Sequence, residues 1–115
     1  MRSKLLKYLV KKQRARNNLL HKYIERLKKN KPRSTIILFG SRARGEQLPY
    51  SDYDIAVILE QVYDKLKTVE KLRRLKPRGL DLDLIVFSLK ELDDPLVKNM
   101  LENASILYNG LDIKL

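Results

Sequence analysis

The chain has 115 residues, a formal net charge of +11 and no cysteine. That length suits one domain with one modest core, and the lack of cysteine excludes disulfides and thiolate metal sites. No run approaches the ~18 uncharged apolar residues of a membrane span, and Lys4, Lys7 and Lys11 interrupt the apolar N-terminus, so neither membrane association through a spanning segment nor secretion is expected, and a cytoplasmic location is.

The charge is uneven. Residues 1–33 hold 13 Lys/Arg and one acid, Glu25, whereas residues 34–115 hold 12 Lys/Arg and 13 acids. The basicity therefore belongs to the first third of the chain. A segment of that kind suits RNA, an acidic protein, a membrane surface or simply a solvated helix face.

Residues 3–29 read as helix, because Ala15, Leu19, Leu20, Tyr23, Ile24 and Leu27 recur at helical spacing. Leu5, Leu6, Leu9 and Val10 form an earlier apolar set, and the polar stretch KKQRARNN between them leaves a break open. Pro32 lies in the stretch that ends the helix. Thr35–Phe39 is a short β-branched and apolar strand that stops at Gly40. Ser41–Gln47 starts a helical turn, and Pro49-Tyr50-Ser51 is loop. Asp52–Leu59 alternates and then turns continuously apolar, as a central strand does. Gln61–Lys76 is an amphipathic helix closed by Pro77-Arg78-Gly79, and Leu80–Phe87 is a third strand. Ser88 and Glu91 have the spacing of a capping box. Asp94-Pro95 starts a helix to about Asn103, and Ser105–Tyr108 is a last short strand before Asn109-Gly110. The expected fold is α/β (α+β): a small mixed sheet of three to four strands flanked by helices, in one domain over 1–115. A basic helical segment, 1–33, precedes the core, 34–110.

Two aspartates carry the chemistry. Asp52 and Asp54 are i and i+2 on a strand, so they project to one face. Two close carboxylates repel, which calls for a proton or a cation. Hard divalent ions fit best, Mg²⁺ above all, since it combines carboxylates with substrate phosphates. If the third strand lies alongside, Asp83 or Asp81 reaches the same spot. Three carboxylates on two strands would then hold two metal ions about 3.5–4 Å apart, the clamp of in-line phosphoryl displacement. Gly40 and Ser41 add a phosphate cradle at a strand end, where a glycine lets a substrate approach the backbone and Ser41 supplies a hydroxyl. Arg42 and Arg44 follow, each able to grip phosphate oxygens. A cradle beside a metal site suits a nucleoside triphosphate. His21, the single histidine, reads as a surface residue. The tyrosines read as packing groups, with Tyr50 and Tyr53 placed near enough for a nucleobase.

The run FGSRARGE…SDYDIAV resembles the Gly-Ser…Asp-x-Asp signature of the polymerase-beta-like nucleotidyltransferase superfamily, and most of all its minimal members, the MNT or MntA-like antitoxins. LDLDLIVFS is similar to their third-carboxylate strand, which puts that aspartate at Asp83, and LENASILYNG to their closing strand. The resemblance covers about 34–110. It implies transfer of a nucleoside monophosphate, AMP from ATP, to a hydroxyl with two Mg²⁺ ions. Asp52 and Asp54 would hold the metals and the triphosphate, and Asp83 would hold the catalytic metal and assist deprotonation of the acceptor. Gly40 and Ser41 would hold the terminal phosphates. The family often pairs with a HEPN-type toxin, some members placing AMP on a toxin tyrosine. The alternatives are an antitoxin that silences by contact alone and an RNA-binding module working through residues 1–33. Acceptor identity and self- or hetero-association stay open.

Overall fold

The computed structural model describes residues 2–40 and 52–115. The expected turn at Ser41–Gln47 and the loop through Tyr50 therefore lie outside the described residues. Helix α1 spans Arg2–Asn30 without a break, so the polar stretch does not interrupt it. Strand β1 follows at Ser34–Phe39, then β2 at Tyr53–Leu59, helix α2 at Lys65–Arg73 and strand β3 at Leu82–Ser88. A 3-10 turn, Leu89–Asp93, leads into the short helix α3, Pro95–Met100, and strand β4, Ser105–Asn109.

The four strands form one mixed sheet in the order β3-β2-β1-β4. The β1–β2 and β1–β4 pairs are antiparallel, and the β2–β3 pair is parallel. A parallel pair needs a crossover, and α2 supplies it.

Alternation along the strands splits the core in two. Tyr53, Ile55, Val57 and Leu59 of β2 face Tyr23, Ile24 and Leu27 of α1 and Leu72 of α2. Ala56 and Ile58 face the other way, with Ile37 and Phe87, against Val97 and Leu101. Both faces of β2 are therefore covered, which is why its sequence runs almost continuously apolar. Burying side chains such as Tyr23, Ile24 and Leu27 is worth about 1.5–3 kcal/mol each at most, so the second half of α1 is an integral part of the core. The Tyr23 hydroxyl donates to the Leu72 carbonyl at 2.9 Å, and Arg26 Nη1 to that of Leu75 at 2.9 Å, which tie α1 to the end of α2. Burial holds the Tyr23 hydroxyl well above its usual pKa.

Two local expectations need correction. Helix α2 is shorter than Gln61–Lys76 because Asp64 caps it, its side chain accepting from the Lys67 amide at 3.1 Å. At the other end the Leu75 and Lys76 amides bond three residues back, to Leu72 and Arg73, and tighten the chain out of the α pattern. The Ser88–Glu91 capping box does not form. Ser88 precedes a 3-10 turn and makes no side-chain cap bond, while Glu91 pairs outward with Lys65 at 2.7 Å. Asp94 takes the capping role for α3, accepting from the Leu96 amide at 2.9 Å with Pro95 in the first turn.

Candidate active site

The carboxylates meet where β2 and β3 begin. Asp54 and Asp83 are register partners in the parallel pair, on strands about 4.8 Å apart. They share the sheet face that carries Ala56, Ile58 and Phe87. Asp52 stands two residues before Asp54 and is exposed, as is Asp83, while Asp54 is half-buried. Partial burial, then the Asp83 carboxylate, then that of Asp52 hold the Asp54 carboxyl above its ordinary pKa. Asp83 and Asp52 thus both act electrostatically on Asp54. Asp81 lies one step outside β3. Its carbonyl accepts from the Tyr53 amide at 3.3 Å, and it is not among the groups that raise Asp54.

Gly40 closes the site on the β1 side. Phe39 pairs with Asp54 across the sheet, so the residue after it sits beside the Asp54 side chain. A Cβ on Gly40 would lie 2.3 Å from Asp54 Oδ2, and φ is +75° there. The close neighbour that this glycine admits is the Asp54 carboxylate itself. Ser41, Arg42 and Arg44 lie outside the described residues.

The donor set suits a hard cation. Among the described residues no three acidic or imidazole side chains enclose a metal position. Mg²⁺ does not require such a cage, since it binds through one or two carboxylates and completes its shell with waters and substrate phosphates. The repulsion stored at Asp54 is what a cation there would relieve.

Tyr53 is the packing group expected of the tyrosines, and the alternative of a nucleobase contact does not hold for it. Strand alternation turns it to the opposite face, where it is 2% exposed and its hydroxyl donates to Asn17 Oδ1 on α1. Arg16, one residue before Asn17, is also buried, at 8% exposure. The sequence signal for both was available: Arg16 keeps helical phase with Leu20, Tyr23 and Leu27, and Tyr53 is out of phase with both aspartates. His21 is exposed, as expected. A groove of about 840 Å³ opens elsewhere, between Leu92, Val97, Leu101 and Ile113, and no carboxylate of the cluster lines it.

The mixed sheet, which sets Asp54 level with Asp83 at the head of two parallel strands and Gly40 against Asp54, has the fold of a nucleotidyltransferase. The chain belongs to the nucleotidyltransferase domain family, whose profile matches residues 20–108, and it is a minimal nucleotidyltransferase. A candidate protein adenylyltransferase of Methanocaldococcus jannaschii, MJ1379, is 36% identical over 93 residues, which is 76% of this chain and 89% of the relative. Among solved structures, a candidate nucleotidyltransferase from Sulfolobus solfataricus superposes with a TM-score of 0.67 at 23% identity over 88% of this chain and 86% of that one, which shows the shared fold. A chain of a toxin–antitoxin crystallised with AMP-PNP gives a TM-score of 0.54 at 29% identity, covering 77% of this chain and 72% of that one. A chain of a tyrosine-to-alanine mutant of the toxin–antitoxin MntA-HpeT gives 0.57 at 30% identity, with 77% and 71% covered. No described helix is long and apolar enough to cross a membrane.

Proposed function

We propose that this enzyme transfers AMP from ATP to a hydroxyl of a partner protein, and that the partner is a HEPN-type toxin which the modification silences. The observation that carries the reading is the register pairing of Asp54 with Asp83, with Asp52 acting on the same carboxyl. The likeness to a protein adenylyltransferase and to toxin–antitoxin chains, one of them crystallised with AMP-PNP, supports the acceptor class and the nucleotide.

In this reading Asp52, Asp54 and Asp83 are the metal ligands. Two Mg²⁺ ions bound there supply charge neutralisation for the in-line displacement. Asp83, exposed at the mouth of β3, takes up the proton of the acceptor hydroxyl. The acceptor oxygen bonds to the α-phosphorus as the bond to pyrophosphate breaks. Gly40 keeps the floor beside Asp54 free of a side chain. Ser41 holds the terminal phosphates, and Arg42 and Arg44 balance their charge. Residues 1–115 act as one catalytic domain.

The test is transfer of label from α-labelled ATP with Mg²⁺ to a purified HEPN-type toxin. Wild-type protein should label the toxin and relieve its activity, and Asp54→Ala should do neither. Neutralisation that survives Asp54→Ala would assign silencing to contact alone. Labelled RNA in place of labelled toxin would move the acceptor to another class.

A further inference from the structure

Helix α1 is about twice as long as the sheet beneath it. Its 29 residues span about 43 Å at 1.5 Å per residue, whereas the six residues of β1 span about 20 Å. The helix ends where β1 begins: the Lys31 amide donates to the Leu27 carbonyl at 2.8 Å, and Ser34 Oγ to the Lys31 carbonyl at 2.6 Å. Backward from there α1 runs along the sheet to the end where β2 starts, and the Tyr53–Asn17 hydrogen bond marks that level. Residues 2–14 lie beyond it. They project about 20 Å past the end of the sheet that carries Asp52, Asp54 and Asp83, and they precede the stretch matched by the family profile.

This overhang repeats the face that packs on the sheet. Leu5 and Tyr23 are 18 residues apart, as are Leu6 and Ile24. At about 3.6 residues per turn that is five whole turns, so each pair shares one side of the helix. Tyr23 is 0% and Ile24 8% exposed, yet Leu5 and Leu6 are 61% and 64% exposed. Lys4, Lys7, Lys11, Lys12 and Arg14 surround them, all exposed, and no acid occurs before Glu25.

We propose that residues 2–14 are the docking arm for the acceptor protein and take an acidic amphipathic helix along Leu5 and Leu6. The proposal rests on the reading of the chain as a protein-modifying enzyme and adds how the acceptor is chosen. Charge selects the occupant: an acid-free run repels a second copy of itself and attracts an acidic surface. The aliphatic stripe selects a protein helix, since two leucines offer an amphipathic helix its anchors and offer a phosphate backbone nothing. Position completes the case. The stripe points to the side on which the sheet lies, so a slender helix fits beside the end of the sheet where a flat bilayer would collide with it. A helix held there lies beyond the same end of the sheet as the carboxylates, which belong to the face opposite α1.

The experiment uses the full chain and a fluorescein-labelled synthetic peptide of Leu/Glu heptads bearing one tyrosine. A Leu/Lys peptide, a single-stranded RNA oligonucleotide and phosphatidylserine vesicles are compared with it. The wild-type chain should bind the acidic peptide in preference to all three. Leu5→Asp combined with Leu6→Asp should weaken that binding at least ten-fold while leaving ATP binding and melting unchanged. Asp54→Asn should bind the peptide as the wild type does and fail only to label it from α-labelled ATP. Failure to bind the acidic peptide, unchanged binding by the double variant, or tighter binding of RNA or vesicles overturns the docking arm. Peptide binding that depends on Leu5 and Leu6 without any labelling supports the arm and counts against transfer to protein.

Discussion

The Asp54 carboxylate rests against the backbone of Gly40, so closely that a Cβ on the glycine would stand 2.3 Å from Oδ2. The contact joins β1 to β2 at the head of the sheet, through the pairing of Phe39 with Asp54. Gly40 also holds φ at +75°, a conformation that costs L residues about 1 kcal/mol or more. Gly40→Ala should therefore act on catalysis more than on folding. It pushes Asp54 out of line with Asp83, and a displacement of about 1 Å in a catalytic group costs about 100-fold in rate. Pyrophosphate release with ATP and Mg²⁺ measures the loss, and a melting curve should show a drop of only a few degrees. A variant with wild-type turnover would show that the Asp54 position is not critical.

Asp54 itself should limit the stability of the ligand-free protein. Its carboxyl is raised in the folded state, by partial burial first and then by Asp83 and Asp52. A carboxyl whose folded pKa lies above its unfolded one contributes stability at pH below the unfolded value and loses it as pH rises through the folded value. At neutral pH the ionised form is therefore a cost. Asp54→Asn should raise the melting temperature at pH 7 by a few degrees, and the gain should vanish as pH falls below the ordinary carboxylate range. Added Mg²⁺ should stabilise the wild type and not the variant, because the cation relieves the same repulsion. Melting curves from pH 3 to 8, with and without the metal, read both effects.

What could be read in advance was mostly parity. The alternation of residues 52–59 places Asp52 and Asp54 on one face; β2 begins at Tyr53 and carries Asp54 level with Asp83. The same alternation sends Tyr53 to the other side, into the core, which agrees with its reading as a packing group and removes the alternative of a nucleobase contact. Pairing is what parity cannot supply. Asp81 and Asp83 share a face of the same segment, and only the parallel register sets Asp83 level with Asp54. The nearness of Gly40 to Asp54 is likewise a product of the antiparallel pairing of Phe39 with Asp54, 15 positions apart. Capping failed for a different reason. Ser88 and Glu91 have the right spacing, but the chain turns tightly there as a 3-10 turn and Lys65 captures the glutamate from another element.

Register makes Asp83 and Asp81 separable. Asp83→Asn should lower transfer about 1000-fold, since a metal-held charge worth several kcal/mol in the transition state is lost. Asp81→Asn should stay within about threefold, because only its carbonyl, bonded to the Tyr53 amide, holds a place in the fold. Chelation by EDTA should abolish transfer in the wild type and readdition of Mg²⁺ restore it. Equal losses for the two variants, measured as labelled product per enzyme, would remove Asp83 from its role.

Tyr53→Phe separates a packing tyrosine from a nucleotide-binding one. The ring sits among Ile55, Val57 and the α1 side chains, and its hydroxyl is spent on Asn17. Removing the hydroxyl keeps the ring in place and breaks one hydrogen bond between sheet and helix, at a cost of about 1 kcal/mol. The exposed Asn17 amide regains water, so no buried acceptor is stranded. Chemical denaturation should report that loss, with the KM for ATP within twofold of wild type. Asn17→Ala should lose at least as much, since it takes this acceptor from a hydroxyl on a side chain that is 2% exposed, and the double variant should lose no more than Asn17→Ala alone, because both substitutions delete the same bond. A tenfold rise in KM with stability unchanged would instead put the Tyr53 ring at the nucleotide.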